Sequence, residues 1–343
     1  KGGAIDGYEL DDADSISAKV ALLFEPSETF SLLLQGFVHE SDQNAAAQKN
    51  IADPNPNPRE LTQDYPGIFN LDTETISLIL EWQISDSLSL KSLSGYQKLE
   101  KEQTTDGDRL TQDTISIDRL GFFSPDNWDV LPFWDNNSEA TSQELVLTYR
   151  SDSVDWVLGG YYLDHDNFND FLEATGPAPF SAFASAVANP SVATLPPFQS
   201  VLNFTEKRTV SREDLALYTQ ATFRLGDKTA ITAGIRWQDE KQTDFGEQFF
   251  GIFGPFSRDT NDEAVTWKLG VDYNISEESM IYALASTGWK NGGTNPGAIT
   301  GGAILLPVGF EPEEVMALEI GSRNTFTDGR ARFNITAFLY DHE

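Results

Sequence analysis

Val265-Thr266-Trp267-Lys268-Leu269-Gly270-Val271-Asp272-Tyr273 is the stretch on which the fold turns. Its odd positions are valine, tryptophan, leucine, valine and tyrosine; its even positions are threonine, lysine, glycine and aspartate. A period of two sustained over nine residues predicts a strand with one apolar and one polar face. A helix would put Lys268 and Asp272 together but would scatter the apolar residues around its circumference. The same split runs through Leu215–Leu225, Thr229–Trp237 and Ala331–Leu339. It is weaker in Ile16–Phe24, Phe30–Val38, Ile76–Ile84, Leu88–Gln97, Gln143–Arg150, Val154–Asp164, Met280–Trp289 and Val315–Phe326. For Met280–Trp289 the pattern does not say which face is apolar. The reading is all-β, with about twelve strands of roughly nine to twelve residues, the length that a tilted strand needs to cross a bilayer.

The connections carry more information than the strands. Short polar turns fall at Glu25–Thr29, Ser85–Ser87, Ser151–Ser153, Gly226–Lys228, Ser276–Ser279 and Thr327–Gly329. Long polar or Pro/Gly-rich stretches fall at 41–70, 104–138, 167–210, 241–260 and 290–312. Short and long alternate along the whole chain. Sandwiches, propellers and lipocalins give no reason for that order; an antiparallel transmembrane β-barrel of the bacterial outer membrane does, since its periplasmic turns are short and its extracellular loops long. On this reading residues 1–12 and 341–343 both lie outside. Barrels of this class normally end in the periplasm, so the expectation is a fragment, incomplete at both ends.

Composition bounds the function. No segment reaches the roughly 20 apolar residues of a membrane helix, and the mean hydropathy is -0.35, as expected when strands alternate. The 54 acidic against 23 basic residues give a charge of -31, which repels nucleic acid. There is no cysteine, which removes thiol chemistry, disulfides and most zinc sites. His39, His165 and His342 stand apart without metal-ligand spacing, and the chain carries no nucleophile elbow, P-loop or dinucleotide fingerprint. Carboxylate pairs such as Asp106 with Asp108 arise by chance among so many acids. Neither an enzyme, nor a resident metal, nor a cofactor is expected.

Three motifs then carry a resemblance. Tyr282-Ala283 through Ser286-Thr287-Gly288-Trp289-Lys290-Asn291-Gly292-Gly293, then Phe310-Glu311-Pro312-Glu313 with Glu319-Ile320-Gly321, then Asp328-Gly329-Arg330 leading to Phe333-Asn334 and Phe338-Leu339-Tyr340, follow one another in order. Together they resemble the barrel part of TonB-dependent receptors, in particular the iron-complex receptors. Residues 1–140 match by hairpin rhythm rather than by motif. The resemblance implies about 22 strands in the whole barrel, with only about twelve here. The family's plug domain and TonB box are not in the sequence, so residues 1–343 are expected to be barrel alone. It implies an outer-membrane transporter that takes up a scarce nutrient, with a ferric siderophore the first expectation. Its implied partners are membrane lipid, lipopolysaccharide and, through a plug, the TonB complex, with the barrel a monomer. A passive porin without energy coupling is the alternative, and a secreted soluble all-β domain a third.

Candidate residues follow from position. Two aromatic-rich connections, with Phe122, Phe123, Trp128, Phe133 and Trp134 in one and Phe249, Phe250, Phe253 and Phe256 in the other, are candidate extracellular ligand contacts, because rigid aromatic faces give contact area at low entropic cost. Packing among themselves is the simpler reading. Arg224, Arg236, Lys268, Asp272 and Arg332 fall on the polar, lumen face by parity and are candidates for holding a plug. Tyr282, Gly288, Trp289, Lys290, Gly292, Gly293, Pro312, Glu313, Glu319, Gly321, Asp328 and Gly329 are read as structural, the glycines relieving crowding at strand ends and turns and Tyr282, Trp289 and Trp237 forming an interfacial aromatic girdle.

Overall fold

The computed structural model describes residues 7, 9–12, 14–51, 53–63, 65–107, 109, 129–176, 201–248, 253–294, 309–326 and 329–342. Its strands are β1 (Ser15–Ser27), β2 (Phe30–Gln43), β3 (Ile68–Gln83), β4 (Leu88–Thr104), β5 (Asp129–Arg150), β6 (Val154–Gly176) and β7 (Val201–Leu225), then β8 (Thr229–Gln248), β9 (Phe253–Ser276), β10 (Ser279–Lys290), β11 (Gly293–Thr294), β12 (Gly309–Phe310), β13 (Glu313–Phe326) and β14 (Ala331–His342). Twelve of them form one antiparallel sheet in chain order, β1 to β10 followed by β13 and β14; β11 and β12 pair only with each other. Every predicted strand is found, and every short turn joins the neighbours expected. Gly226 and Gly329 take φ of 68° and 87°, the left-handed conformation that tight reversals require and that glycine adopts without strain.

Apolar side chains are outside. Among the described residues the buried apolar ones are Ala45, Leu131 and Ala216, far too few to drive the folding of a soluble domain of this size. Leu145, Leu158, Leu215, Leu217, Phe223, Leu225, Ile235, Val265, Trp267, Leu269, Val271 and Tyr273 are instead exposed on one face. They form a continuous band because the register pairs them across strands: Leu217 opposite Trp237, Trp237 opposite Val265, Ile235 opposite Trp267. A hydrocarbon solvent favours such a face, and it also demands that backbone polar groups be satisfied within the sheet. The ladder does this for every strand except the outer edges of β1 and β14. All residues of those two strands are exposed.

The structure differs from the sequence reading at the long connections. β5 to β9 have 22, 23, 25, 20 and 24 residues, about twice what crosses a bilayer. Segments within 129–138, 167–176, 201–210, 241–248 and 253–260, read as loop, are therefore strand. The outward positions change character where the band stops: Glu139, Asp164, Asp166, Glu213, Lys241 and Glu263 continue the same face as exposed charges. Both faces are polar there, so period-two hydropathy vanishes although the ladder continues. In β10 the apolar face is the odd one, with Ile281 44% exposed; Tyr282, expected in the aromatic girdle, is on the polar face instead, because its parity sets it beside Glu319 and Arg323.

Candidate ligand-facing wall

Positions opposite the apolar band line the concave, polar face. On β5, β6 and β7 that face holds a repeated local device. Tyr218 pairs in register with Gly159, and its ring lies so close that a Cβ at Gly159 would stand 2.1 Å from Tyr218 Cζ. The hydroxyl donates to Glu144 Oε1 at 2.7 Å, and the Arg236 guanidinium sits 5.7 Å from the ring centroid. Tyr282 repeats this on β10. It pairs with Gly321, covers it at 2.5 Å from a notional Cβ, donates to Glu319 and carries Arg323 at 5.2 Å. A tyrosine laid flat over glycine fills space on a curved wall and aims a carboxylate along it.

Beyond the apolar band the wall divides by chemistry. On β5 and β6 it is aromatic and neutral. Trp134 packs against Phe171 at 5.2 Å between centroids, the Asn136 amide donates to Asn167 at 3.3 Å and to the Phe168 carbonyl at 3.2 Å, and Ser138 Oγ lies 2.9 Å from His165 Nε2. On β7, β8 and β9 it is ionic. Arg208 Nε donates to Asp244 Oδ1 at 2.8 Å, and Arg212 Nη2 reaches Asp214 Oδ2 at 2.6 Å and Glu240 Oε2 at 2.8 Å. Asp214, Glu240 and Asp244 are 5%, 2% and 1% exposed, so these pairs are shielded and geometrically fixed. Glu240 stands beyond Asp239 and Glu263, the first outward charges above the band. Burial pushes its carboxyl up to about 7, against the lowering pull of Arg212 and with Asp214 and Asp262 adding to the rise.

The β2–β3 connection is folded around Asp53. Its carboxylate accepts from the Thr62 amide at 2.9 Å, from the Thr62 hydroxyl and from the Asn55 amide at 2.8 Å. Lys49 Nζ lies 3.5 Å away and donates to the Asn57 and Glu60 carbonyls at 2.9 and 2.6 Å. Burial alone would raise the Asp53 carboxyl, but these donors and the Lys49 charge hold it below its ordinary value.

Of the candidate ligand contacts, Trp134 is on the concave wall and Phe133, one residue earlier, on the opposite face. Both belong to β5, not to a loop. Phe253 and Phe256 belong to β9, in register with Gln248 and Gly246; the physical reason is again the length of the ladder. Phe122, Phe123, Trp128, Phe249, Phe250 and Asp328 lie outside the described residues. Arg224 pairs with Asp155, Arg236 joins Tyr218, Lys268 is exposed and Asp272 half-buried on β9, and Arg332 is exposed on β14. All five keep the polar face, but the structure does not gather them into one cluster. Trp289 pairs in register with Glu314, Gly288 with Val315 and Lys290 with Glu313, while Gly292 and Gly293 are buried beside Phe310 and Pro312. Sequence reasoning missed Asn136, Ser138, Asn167, Phe171, Arg208, Arg212, Asp214, Glu240, Asp244 and Asp262. Extending the parity of Leu215–Leu225 back to Arg208 would have put both arginines and Asp214 on the lumen face.

Solved structures with this architecture include the ferric yersiniabactin uptake receptor FyuA from Yersinia pestis (16% identity, TM-score 0.64, covering 96% of this chain and 45% of that one). The siderophore receptor PiuA from Acinetobacter baumannii is similar (16% identity, TM-score 0.62, 98% and 51%). So is the copper transporter OprC (11% identity, TM-score 0.61, 95% and 45%). This chain spans about half the length of each. The family model for the TonB dependent receptor-like β-barrel matches residues 20–343. With an all-antiparallel sheet, an apolar outer face and a polar concave wall beside that match, the chain belongs to the TonB-dependent receptor family, as a β-barrel domain.

Proposed function

We propose that this chain is part of the barrel wall of an outer-membrane receptor that takes up a scarce metal complex, a ferric siderophore first among the classes. The observation that carries this reading is the aromatic and neutral-polar ledge of Trp134, Asn136, Ser138, His165, Asn167 and Phe171. It stands on rigid strands above the apolar band, facing inward. Ligand sites combine flat apolar contact with a few fixed hydrogen-bonding groups, and rigid strands hold such groups better than loops do. Two of the similar proteins are named for siderophore uptake and one for copper; these names motivate the metal-complex class.

In this reading further strands pair with the exposed edges of β1 and β14 to close the barrel. A plug fills the lumen against Arg236, Lys268 and Asp272, and TonB supplies the energy. The ledge binds the ligand outside the plug. The test is ligand binding by the full-length receptor carrying Trp134→Ala or Asn167→Ala, titrated with a panel of ferric siderophores. The expected result is at least one complex bound in the micromolar range or tighter, weakened about tenfold or more by Trp134→Ala. Unselective flux of sugars into liposomes, with no complex bound, would identify a passive porin instead.

A further inference from the structure

β10 leaves the sheet at Lys290 and the chain re-enters at Glu313, its register partner. Between them, Gly293-Thr294 and Gly309-Phe310 pair as a short ribbon. The leaving arm does not continue straight. The Asn291 side-chain amide donates to Glu240 on β8, two strands away, and the Gly292 amide donates to Asp262 Oδ2 on β9 at 3.2 Å. Neighbouring strands lie about 4.8 Å apart, so the arm crosses roughly 10 Å sideways to reach Glu240. Asp262 and Glu240 both face inward, so it crosses on the concave side.

The returning arm lies on the same side. A Cβ at Gly309 would stand 1.4 Å from Arg258 Nη1, and one at Gly292 2.7 Å from the Phe310 carbonyl oxygen. Lys290 Nζ closes the base, 5.9 Å from the Phe310 ring and 3.6 Å from Glu313. The lysine, asparagine and glycines of Lys290–Gly293 thus all take part in one folded-in junction.

We propose that Glu240 and Asp262 are positioning residues that hold the leaving arm of this ribbon, and through its pairing the returning arm, over the ligand-facing wall. Arg212, 2.8 Å from Glu240, holds that carboxylate in place among its neighbours. β7 offers Arg212 and Asp214, with Arg208 paired to Asp244 of β8 two inward-facing positions further out. β6 offers His165 and Tyr161, in register with Arg212 and Ala216. β8 itself adds Arg236, and β9 adds Asp262 and Arg258. Three carboxylates, Asp214, Glu240 and Asp262, thus share this stretch of wall with Arg212, and two of them accept the Asn291 and Gly292 donors.

The experiment is amide hydrogen exchange of the 290–294 segment in the full-length receptor, corrected for intrinsic rates, at pH 7. It does not involve ligand, so its failure is distinct from failure of the uptake reading. Glu240→Ala and Asp262→Ala should each lower protection of the segment several-fold, and the double variant should lower it further. Glu240→Gln, which keeps an acceptor for the Asn291 amide, should lower it less than Glu240→Ala. Wild-type protection in both Glu240→Ala and Asp262→Ala would overturn the proposal. Heat-modifiable migration in gels checks that each variant barrel is folded.

Discussion

Replacing Gly159 by alanine tests whether the Tyr218 device stabilises the wall. The added Cβ would lie 2.1, 2.4 and 2.6 Å from Tyr218 Cζ, Oη and Cε1, where ordinary carbon contacts are about 3.5–4.0 Å. The backbone ladder on both sides is continuous, so the ring must move by more than 1 Å, a shift estimated as roughly the shortfall in contact distance. That displacement breaks the 2.7 Å bond to Glu144 and lifts the ring away from Arg236. Overpacking costs about 1–3 kcal/mol, and losing a hydrogen bond to a charged acceptor about 1.5–3 kcal/mol. The two overlap because one motion produces both, so the expected loss is about 2–4 kcal/mol. Urea unfolding of the purified receptor in detergent micelles reads it as a shift in midpoint at constant slope. In a Tyr218→Ala background the ring is gone, and Gly159→Ala should cost less than about 1 kcal/mol. Gly159→Ala within about 0.5 kcal/mol of wild type, or an equal cost in both backgrounds, would refute the reasoning.

Leu269→Arg puts a charge in the middle of the apolar band and should destabilise the membrane-inserted barrel by about 2–4 kcal/mol, whereas Lys268→Ala, one residue along on the polar face, should stay within about 0.5 kcal/mol; refolding titrations into lipid vesicles compare them. The Asp53 carboxyl is held below its ordinary value, so the order it imposes is present above pH 3.8 and lost as pH falls through the depressed pKa. Exchange of the Thr62 amide should therefore be slow and pH-insensitive from pH 5 to 8 once intrinsic rates are removed, and should rise at every pH in Asp53→Ala. Lys49→Met should loosen the same amide while leaving the barrel strands unaffected.

Hydropathy made the membrane-crossing halves of the strands legible and left their outer halves invisible, for one physical reason. Val265–Tyr273 alternates because one face meets hydrocarbon and the other the lumen. Ten residues earlier, β9 has the same ladder, but Asp259, Asn261 and Glu263 on the outer face meet water, so nothing in their polarity distinguishes strand from loop. That is why 241–248 and 253–260 read as connections, and why the pattern around Trp134 reads as loop although Trp134 stands on β5. The ionic wall was hidden by the same effect. Arg212, Asp214 and Glu240 are unremarkable among the many charges of the sequence; only the register that sets Asp214 opposite Glu240 and Glu240 opposite Asp262 makes them a cluster. The Tyr218–Gly159 contact joins residues 59 apart by subtraction of their positions, beyond any local pattern. The Lys290–Gly293 motif was visible as a motif, but its inward fold was not, because its partners lie on β8 and β9.

The chain has no cysteine, so a single introduced thiol reports its own location. Cysteine at Asp227, in the β7–β8 turn, and cysteine at Arg59, in the β2–β3 connection, are exposed at opposite ends of the sheet. In intact cells a membrane-impermeant maleimide should label the residue-59 thiol and should reach the residue-227 thiol only after the outer membrane is permeabilised. Equal labelling of both in intact cells, or of neither until the cells are lysed, would contradict an outer-membrane barrel with its ligand-facing wall open to the exterior.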